Sequence, residues 1–345
     1  MIEISGEYAN VLKGQKFIDL FCGLGGFRLA LESFGAECVF SSDIDKHVSE
    51  VYKNNFNDDC LNDITKVDEK DIPPFDILTG GFPCQAFSIA GKRLGFEDTR
   101  GTLFRDIVRI TEYHKPKLLF LENVKNLTNH DGGKTFGVIR NCIEDVGYNI
   151  YYKVLNASKY GIPQCRERVY MICIRKDIDN GTFEFPKEQP IVKCIKDILV
   201  PDSEVDSSYY IDDTIVIKKE LLNECDNKLL PTETTIFPRI RKIGHLGETD
   251  YQTRRVYSIY GQAPTLTCRH SPIISKCYGC VDGKLPSNEI RRLVPREEAR
   301  LMGFPDSYKI TDKKSHAPKQ FGNSIIINVL QYIIKSLIDT KAMNW

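Results

Sequence analysis

Phe17-Ile18-Asp19-Leu20-Phe21-Cys22-Gly23-Leu24-Gly25-Gly26 opens with an apolar run of strand length and closes in a glycine-rich turn. Beyond it Phe27, Leu31 and Phe34 recur at three-to-four spacing, and Gly35 closes the segment as a helix C-cap does. Working outward from this strand–turn–helix unit, Glu37 to Ser41, Phe75 to Thr79, Lys117 to Leu121 and Val169 to Ile174 are further compact apolar runs. With Phe17 to Phe21 they alternate with helical stretches through residues 17 to 175. That order predicts an α/β fold, a Rossmann-like and mostly parallel sheet with helices on both faces. Such a sheet binds its ligand at the carboxyl ends of the strands.

After about residue 185 the pattern changes, as Pro186, Pro190 and Pro201-Asp202-Ser203-Glu204 replace the alternation. Residues 1–190 therefore form the first domain, and 191–290 a smaller one, β-rich and irregular, without a long helix. Leu293 to Gly303 reads as a helix with Pro295 in its first turn, inside a hinge at 291–322. The tail, 323–345, carries Ser324 to Ile338 on apolar helical spacing and is expected to pack back on the first domain.

A content of 41% hydrophobic and 27% charged residues argues for a folded chain rather than a disordered one. The apolar run Ile325-Ile326-Ile327 stops at Asn328, and Met1 to Asn10 lacks a basic flank followed by an apolar stretch. Neither a bilayer span nor a secretion signal is expected. The twelve cysteines are scattered singly through strand and helix segments, which fits reduced thiols in a cytoplasmic protein better than a disulfide framework. Net charge is zero, so any nucleic-acid footprint must be local.

Glycines at 23 and 25 let a ligand approach the backbone, and the helix that follows offers unpaired N–H groups. The position of the third glycine in a dinucleotide fingerprint is Arg28, which argues against a nicotinamide oxidoreductase. Asp43 ends the second strand, twenty positions after Gly23, where an acid takes ribose hydroxyls. Asp63, ahead of Ile64, is placed to accept from an adenine amino group. Alone, the turn is also what any tight strand–helix junction needs; with the two acids it fits an adenosine-bearing ligand.

Gly80-Gly81-Phe82-Pro83-Cys84-Gln85-Ala86-Phe87-Ser88 follows the third strand, so Cys84 is presented at a strand end rather than packed. The next residues, with Gly91, Lys92, Arg93, Gly95 and Gly101, make a basic, glycine-rich loop of the kind that closes over ligands. Later come Glu122-Asn123-Val124, Gln164-Cys165-Arg166-Glu167-Arg168, Arg300-Leu301-Met302-Gly303-Phe304-Pro305 and Gln320-Phe321-Gly322-Asn323-Ser324. These blocks, in this order, resemble the bacterial cytosine-C5 DNA methyltransferases of restriction–modification systems. The Phe-Ser-Ile-Ala-Gly-Lys run after Gln85 resembles in particular the small enzymes that methylate palindromes such as GCGC. Only residues 191 to 290 lack strong family blocks.

The resemblance implies S-adenosyl-L-methionine as methyl donor and double-stranded DNA as substrate, with the target cytosine flipped out of the helix. It makes Cys84 the nucleophile that adds to carbon 6 and Glu122 the group that holds and protonates ring nitrogen 3. A free thiol titrates at about 8.5, so cations must favour the thiolate, and Arg166 and Arg168 are the candidates. Residues i and i+2 of a strand share a face, so both arginines are expected at one site. For the donor, the match assigns Phe21 to the adenine ring, Asp43 to the ribose and Asp63 and Ile64 to the adenine edge. It assigns Pro83 and Asn323 to the methionine end, with Gly23, Leu24 and Gly25 forming the turn. Ile44 stands where the family often has an aromatic residue, which puts stacking there in question.

Residues 236 to 276 hold Arg239, Arg241, Lys242, Arg254, Arg255, Arg269 and Lys276 against Glu248 and Asp250, interleaved with Tyr251, Tyr257 and Tyr260. This basic stretch suits phosphate contacts in a target-recognition domain, although a solvated basic face has the same composition. Thr265-Leu266 resembles a family signature near the flipped nucleotide's phosphate. Gln85, Ser88, Lys92 and Arg93 are further DNA-side candidates. Cys277 and Cys280, with Cys268 and His270 upstream, fall short of the paired spacing of a structural zinc site, so no metal is expected. The tRNA-methylating relatives carry a Cys-Phe-Thr block that is absent here, and a silent DNA-binding relative would have lost Cys84, Glu122 or the arginines. A monomer is expected, with a cognate restriction endonuclease as a functional counterpart rather than a stable partner.

Overall fold

The structure, a computed structural model, describes residues 1–83, 103–211, 215–217, 239–240, 242–246, 251–275, 290–311 and 313–345. It divides into two compact bodies. The first comprises Met1–Leu155, Glu167–Lys187 and Ser324–Trp345; the second comprises Asn156–Arg166 and Glu188–Asn323.

The first body is built on β1 (Lys16–Leu20), β2 (Glu37–Ser42), β3 (Ile77–Gly81), β4 (Leu118–Val124), β5 (Tyr148–Asn156) and β7 (Glu167–Arg175), in the order β2-β1-β3-β4-β7-β5. β1 runs parallel to both β2 and β3, β3 runs parallel to β4, and β7 is antiparallel to β4. The chain moves from β1 to β2 on one side and returns to β3 on the other. A crevice therefore opens at the carboxyl ends of β1 and β3, the switch point at which such sheets bind ligands. All five expected strands are present. β5 was not anticipated, because its burial alternates with exposed and half-exposed positions at the sheet edge and no continuous apolar run marks it.

Among the described residues four helices follow strands in this body, α1 (Gly26–Glu32), α2 (Lys46–Phe56), α3 (Leu103–His114) and α4 (Lys134–Asp145). The side chain of Asp45 caps α2 by accepting from the His47 N–H. A core of Ile18, Leu20, Leu78, Phe104, Ile107, Leu119, Leu121, Ile139 and Met171 fills the layer against the sheet. The tail helix, α7 (Ile327–Asp339), packs on α1, and a Cβ on Gly26 would come within 2.4 Å of Ile325 Cγ2, so only glycine permits that approach. By length and composition Ala317–Asp339 is apolar enough to cross a membrane, but 67% of its apolar window is buried in the protein and α7 begins only at Ile327.

In the second body β8 (Ile215–Ile217), β9 (Lys242–Leu246), β10 (Arg255–Ser258), β12 (Ile273–Ser275) and β13 (Ile290–Arg292) form one sheet around Ile243, Leu246, Val256, Ile273 and Ile290. A two-stranded pair joins β6 (Gln164–Cys165) to β11 (Ala263–Pro264). The helix expected at Leu293 to Gly303 is α5 (Pro295–Leu301), and α6 (Ala317–Asn323) follows it. Arg291 and Glu297 are fully buried at 2.6 Å, and Glu297 also accepts from the N–H groups of Val200 and Val294. The pair is thus neutralised and hydrogen-bonded, which is what makes a buried ion pair tolerable.

The division differs from the expected boundaries at three places. Residues 156–166 and 188–190, read as part of the first domain, belong to the second body, as do the expected hinge at 291–322 and Asn323, which was read as the start of the tail. For residues 156–166 the cause is long-range pairing: β6 pairs with β11, and the Gln164 amide bonds the Leu266 N–H and the Leu301 carbonyl.

Candidate active site

The crevice is lined first by the turn after β1. Phe21 adopts φ +55°, a left-handed conformation that disfavours side chains. It turns the chain so that the Cys22 N–H donates to Ser42 O and the Gly23 N–H donates to Asp43 Oδ2 at 2.9 Å. Gly23 has φ +54°, and the nearest atom to a Cβ built there is Phe21 O at 4.0 Å, so the turn leaves open space above this residue. Gly25, at φ +74°, is glycine for a second reason, since a Cβ would lie 2.5 Å from Phe56 Cε2.

Asp43 holds the neighbouring strand end. Its Oδ1 accepts from the Asp45 N–H and its Oδ2 from Gly23, and burial raises its pKa. Each carboxylate oxygen still has lone-pair capacity for a ligand hydroxyl. Asp63 caps a short helical turn, accepting from the Thr65 N–H and hydroxyl, and the hydroxyl contact lowers its pKa. Ile64 beside it is 2% exposed, whereas Ile44 is 73% exposed and offers an apolar face next to Asp43. Leu24 is buried under the turn. The open glycine turn and the fixed acid fit an adenosine-bearing ligand.

Asp19 was read only as part of the strand. It is fully buried, with Oδ1 accepting from the Thr79 hydroxyl at 2.8 Å and Oδ2 without a hydrogen-bond partner among the described residues. Burial pushes its carboxyl up to about 7, against the opposing pull of Thr79 and Arg28. An aspartate inside an apolar run was the available signal, because such a group is rarely fully buried without a structural reason.

The second half of the crevice is the end of β3. Gly81 is the register partner of Glu122 on β4, and a Cβ on Gly81 would lie 3.6 Å from Glu122 Oε2. On the other oxygen, Arg168 Nε stands 3.2 Å from Glu122 Oε1, with side chains only 15% and 12% exposed. Arg168 reaches this point because β7 runs antiparallel to β4 and pairs Arg168 with Val124. Asn123 was quoted in its block but given no role. Its buried amide donates to Phe82 O at 2.8 Å, and its Oδ1 accepts from the Val124 N–H, which fixes the orientation of the amide. Phe82 is buried against Phe104 and Pro83 is exposed. Cys84, Gln85, Ser88, Lys92 and Arg93 lie outside the described residues. The segment that leads to Cys84 therefore leaves β3 directly beside Glu122.

The two arginines of the Gln164–Arg168 block do not share one strand. β6 ends at Cys165 and β7 begins at Glu167, so the alternation expected of i and i+2 does not extend across them. Arg166, 2% exposed, donates to the carbonyls of Leu266 and Gly322 within the second body. In the same body the Thr265 hydroxyl donates to Cys165 O, and Asn323 is exposed at the end of α6. Arg239 and Arg254 are exposed and Arg255 is half-buried, while Arg241 lies outside the described residues. Tyr251 is exposed but Tyr257 is buried, so the tyrosines do not form one surface. Cys268 is exposed, Cys277 and Cys280 are outside the described residues, and no group of three metal-ligating side chains occurs among those described.

The profile of the family described as C-5 cytosine-specific DNA methylase matches residues 15–339. The chain is 50% identical over 333 residues to the type II methyltransferase M.HhaI of Haemophilus parahaemolyticus, covering 96% of each chain. With M.HaeII of Haemophilus aegyptius it shares 40% over 332 residues, 96% of this chain and 95% of that one. Among solved structures, the Dnmt2 methyltransferase of S. pombe superposes with TM-score 0.65 at 21% identity, over 94% of this chain and 98% of that one. The Entamoeba histolytica methyltransferase EhMeth does so with TM-score 0.68 at 18%, over 95% and 98%. At those identities the two structures speak for a shared fold alone.

Proposed function

The chain belongs to the C-5 cytosine-specific DNA methylase family and methylates carbon 5 of cytosine in DNA, and on that premise we propose that Cys84, Glu122 and Arg168 carry out the reaction. The supporting observation is the placement of Glu122. Arg168 stands against Oε1, Gly81 puts no side chain against Oε2, and the strand that leads to Cys84 ends alongside.

Carbon 5 of cytosine is too electron-poor to take a methyl cation equivalent unaided. The Cys84 thiolate adds to carbon 6, and the electron pair displaced from the 5,6 double bond makes carbon 5 nucleophilic. Glu122 supplies a proton to ring nitrogen 3 and holds it, so that the ring does not accumulate the negative charge of the addition. Arg168 orients the Glu122 carboxyl and keeps a positive charge beside the ring. When carbon 5 has been methylated, its proton leaves to a base, the 5,6 double bond reforms and the thiolate departs with the bonding pair. Bound S-adenosyl-L-methionine supplies the electrophilic methyl group. Gly23 would leave it room in the turn that Leu24 and Gly25 complete, Phe21 and Ile64 would meet its adenine, Asp43 would take the ribose hydroxyls and Asp63 the adenine edge. Pro83 and Asn323 meet its methionine end.

Double-stranded DNA is the substrate, read at a short palindrome such as GCGC. Arg239, Arg241, Arg254, Arg255 and Thr265 contact it from the second body, and Gln85, Ser88, Lys92 and Arg93 from the loop after Cys84. The exposure of Arg239 and Arg254 supports this reading. We place the enzyme in the cytoplasm as a monomer, alongside a restriction endonuclease of the same specificity; the type II designation of its relatives supports that context. The test is incubation with unmethylated duplex DNA and a labelled methyl donor, followed by bisulfite sequencing. Label confined to cytosine within one short palindrome is expected. Label in adenine, or in RNA but not DNA, would refute the proposal.

A further inference from the structure

Arg166 is a cation in the interior, and a buried guanidinium is costly unless its donors are satisfied. Its Nη1 donates to Leu266 O at 3.1 Å and its Nη2 to Gly322 O at 3.0 Å. One planar fork thus bridges two main-chain segments that are remote in sequence, a task for which arginine is suited and lysine is not.

Both segments are held tightly where the fork meets them. The turn at 265–268 is fastened to the block that contains Arg166 by Thr265 Oγ1 donating to Cys165 O at 2.7 Å and by the Leu266 N–H donating to Gln164 Oε1 at 2.9 Å. The end of α6 meets the same turn backbone to backbone, since a Cβ on Gly322 would lie 2.4 Å from Cys268 N and from Thr267 C. Both are backbone atoms, so a side chain at 322 would push the two segments apart, and glycine is what allows the approach. The residues next to these contacts are Thr265 and Asn323, which the proposed function assigns to the DNA phosphate and to the methionine end of the donor.

We infer that Arg166 is a positioning residue that fixes the Thr265–Cys268 turn and the Gly322–Asn323 end of α6 against each other, so that one buried side chain sets both the DNA-phosphate contact and the methyl-donor contact. The inference rests on the proposed roles of Thr265 and Asn323. Two of its donors are committed to main-chain oxygens in the protein interior, which is the geometry of a residue that holds backbone segments in place.

The test uses the full chain carrying Arg166→Lys, which keeps the charge but loses the fork. Three quantities are read: S-adenosyl-L-methionine affinity without DNA, KM for unmethylated duplex DNA, and kcat with both saturating. Both affinities should weaken together, each by roughly tenfold, the size expected for one lost charge-assisted hydrogen bond. The value of kcat should stay within about threefold of wild type. A collapse of kcat with both affinities intact would overturn the inference, because Arg166 would then act on the base. Weakening of DNA binding alone would overturn the link to the donor. Gly322→Ala leaves Arg166 in place but forces α6 away from Cys268 N, and it should reproduce the paired loss; unchanged affinities in that variant would also count against the clamp. A wild-type protein that transferred no methyl group to DNA would instead refute the proposed function, and the donor-binding comparison would still judge the clamp.

Discussion

Replacing Asp19 by asparagine should remove a pH-dependent loss of stability from the first body. The unfolded carboxyl titrates near 3.8, whereas burial holds the folded one up to about 7. Between those values the folded state binds more protons than the unfolded state, so stability falls as pH rises. The contribution is intact below about pH 4 and fully lost above about pH 7. A displacement of about three pH units corresponds to roughly 4 kcal/mol at the alkaline end. Asparagine keeps an oxygen for the Thr79 hydroxyl but cannot ionise, so its stability lacks this slope. The fixed cost of burying an amide shifts the difference between variant and wild type without tilting it. The single tryptophan, Trp345, lies in the same body as Asp19, so its emission during urea unfolding follows the relevant transition. Measured from pH 4 to pH 8, the stability of Asp19→Asn minus that of wild type should climb by roughly 4 kcal/mol. A flat difference would show that the buried carboxyl is not held protonated, and the reasoning would fail.

Glu298 behaves in the same way in the second body. Burial lifts its carboxyl from 4.5 to about 8, so Glu298→Gln should gain up to about 5 kcal/mol on wild type between pH 4.5 and pH 8, read as thermal melts across that range. Gly25→Ala combines a left-handed backbone with a Cβ 2.5 Å from Phe56 Cε2, and it should cost about 2 kcal/mol of stability and most methyl-donor affinity. Wild-type donor binding in a titration of that variant would contradict the turn's assignment. Asn123→Ala strips the Phe82 carbonyl and the Val124 N–H of their partner. It should slow methyl transfer by about 100-fold while donor affinity holds, because only the approach of the Cys84 segment is disturbed; a donor-binding defect of the same size would point to general damage.

The sheet was legible because its strands carry continuous apolar runs and its first turn carries glycines that two positive φ values require. The placing of acids 43 and 122 at strand ends was legible because each follows such a run, and they lie there beside Gly23 and Gly81. The chain break between β6 and β7 was not, since Gln164 to Arg168 reads as one alternating stretch. Only the pairing of Gln164 and Cys165 with Ala263 and Pro264, about a hundred residues later, assigns the two arginines to different surroundings. Long-range pairing of that kind leaves no periodic trace. Asn123 and Asp19 escaped for a related reason: their importance lies in a single hydrogen bond to a remote residue, Phe82 or Thr79, which local pattern does not record.

The most direct test is to incubate the protein and S-adenosyl-L-methionine with duplex DNA in which 5-fluorocytosine replaces the target base, then to map any adduct by mass spectrometry. Fluorine cannot depart as a proton does, so a denaturation-resistant complex joined through Cys84 to carbon 6 of a methylated ring is predicted, and Cys84→Ser should form none. Labelled DNA without any adduct, or an adduct at another residue, would contradict the account.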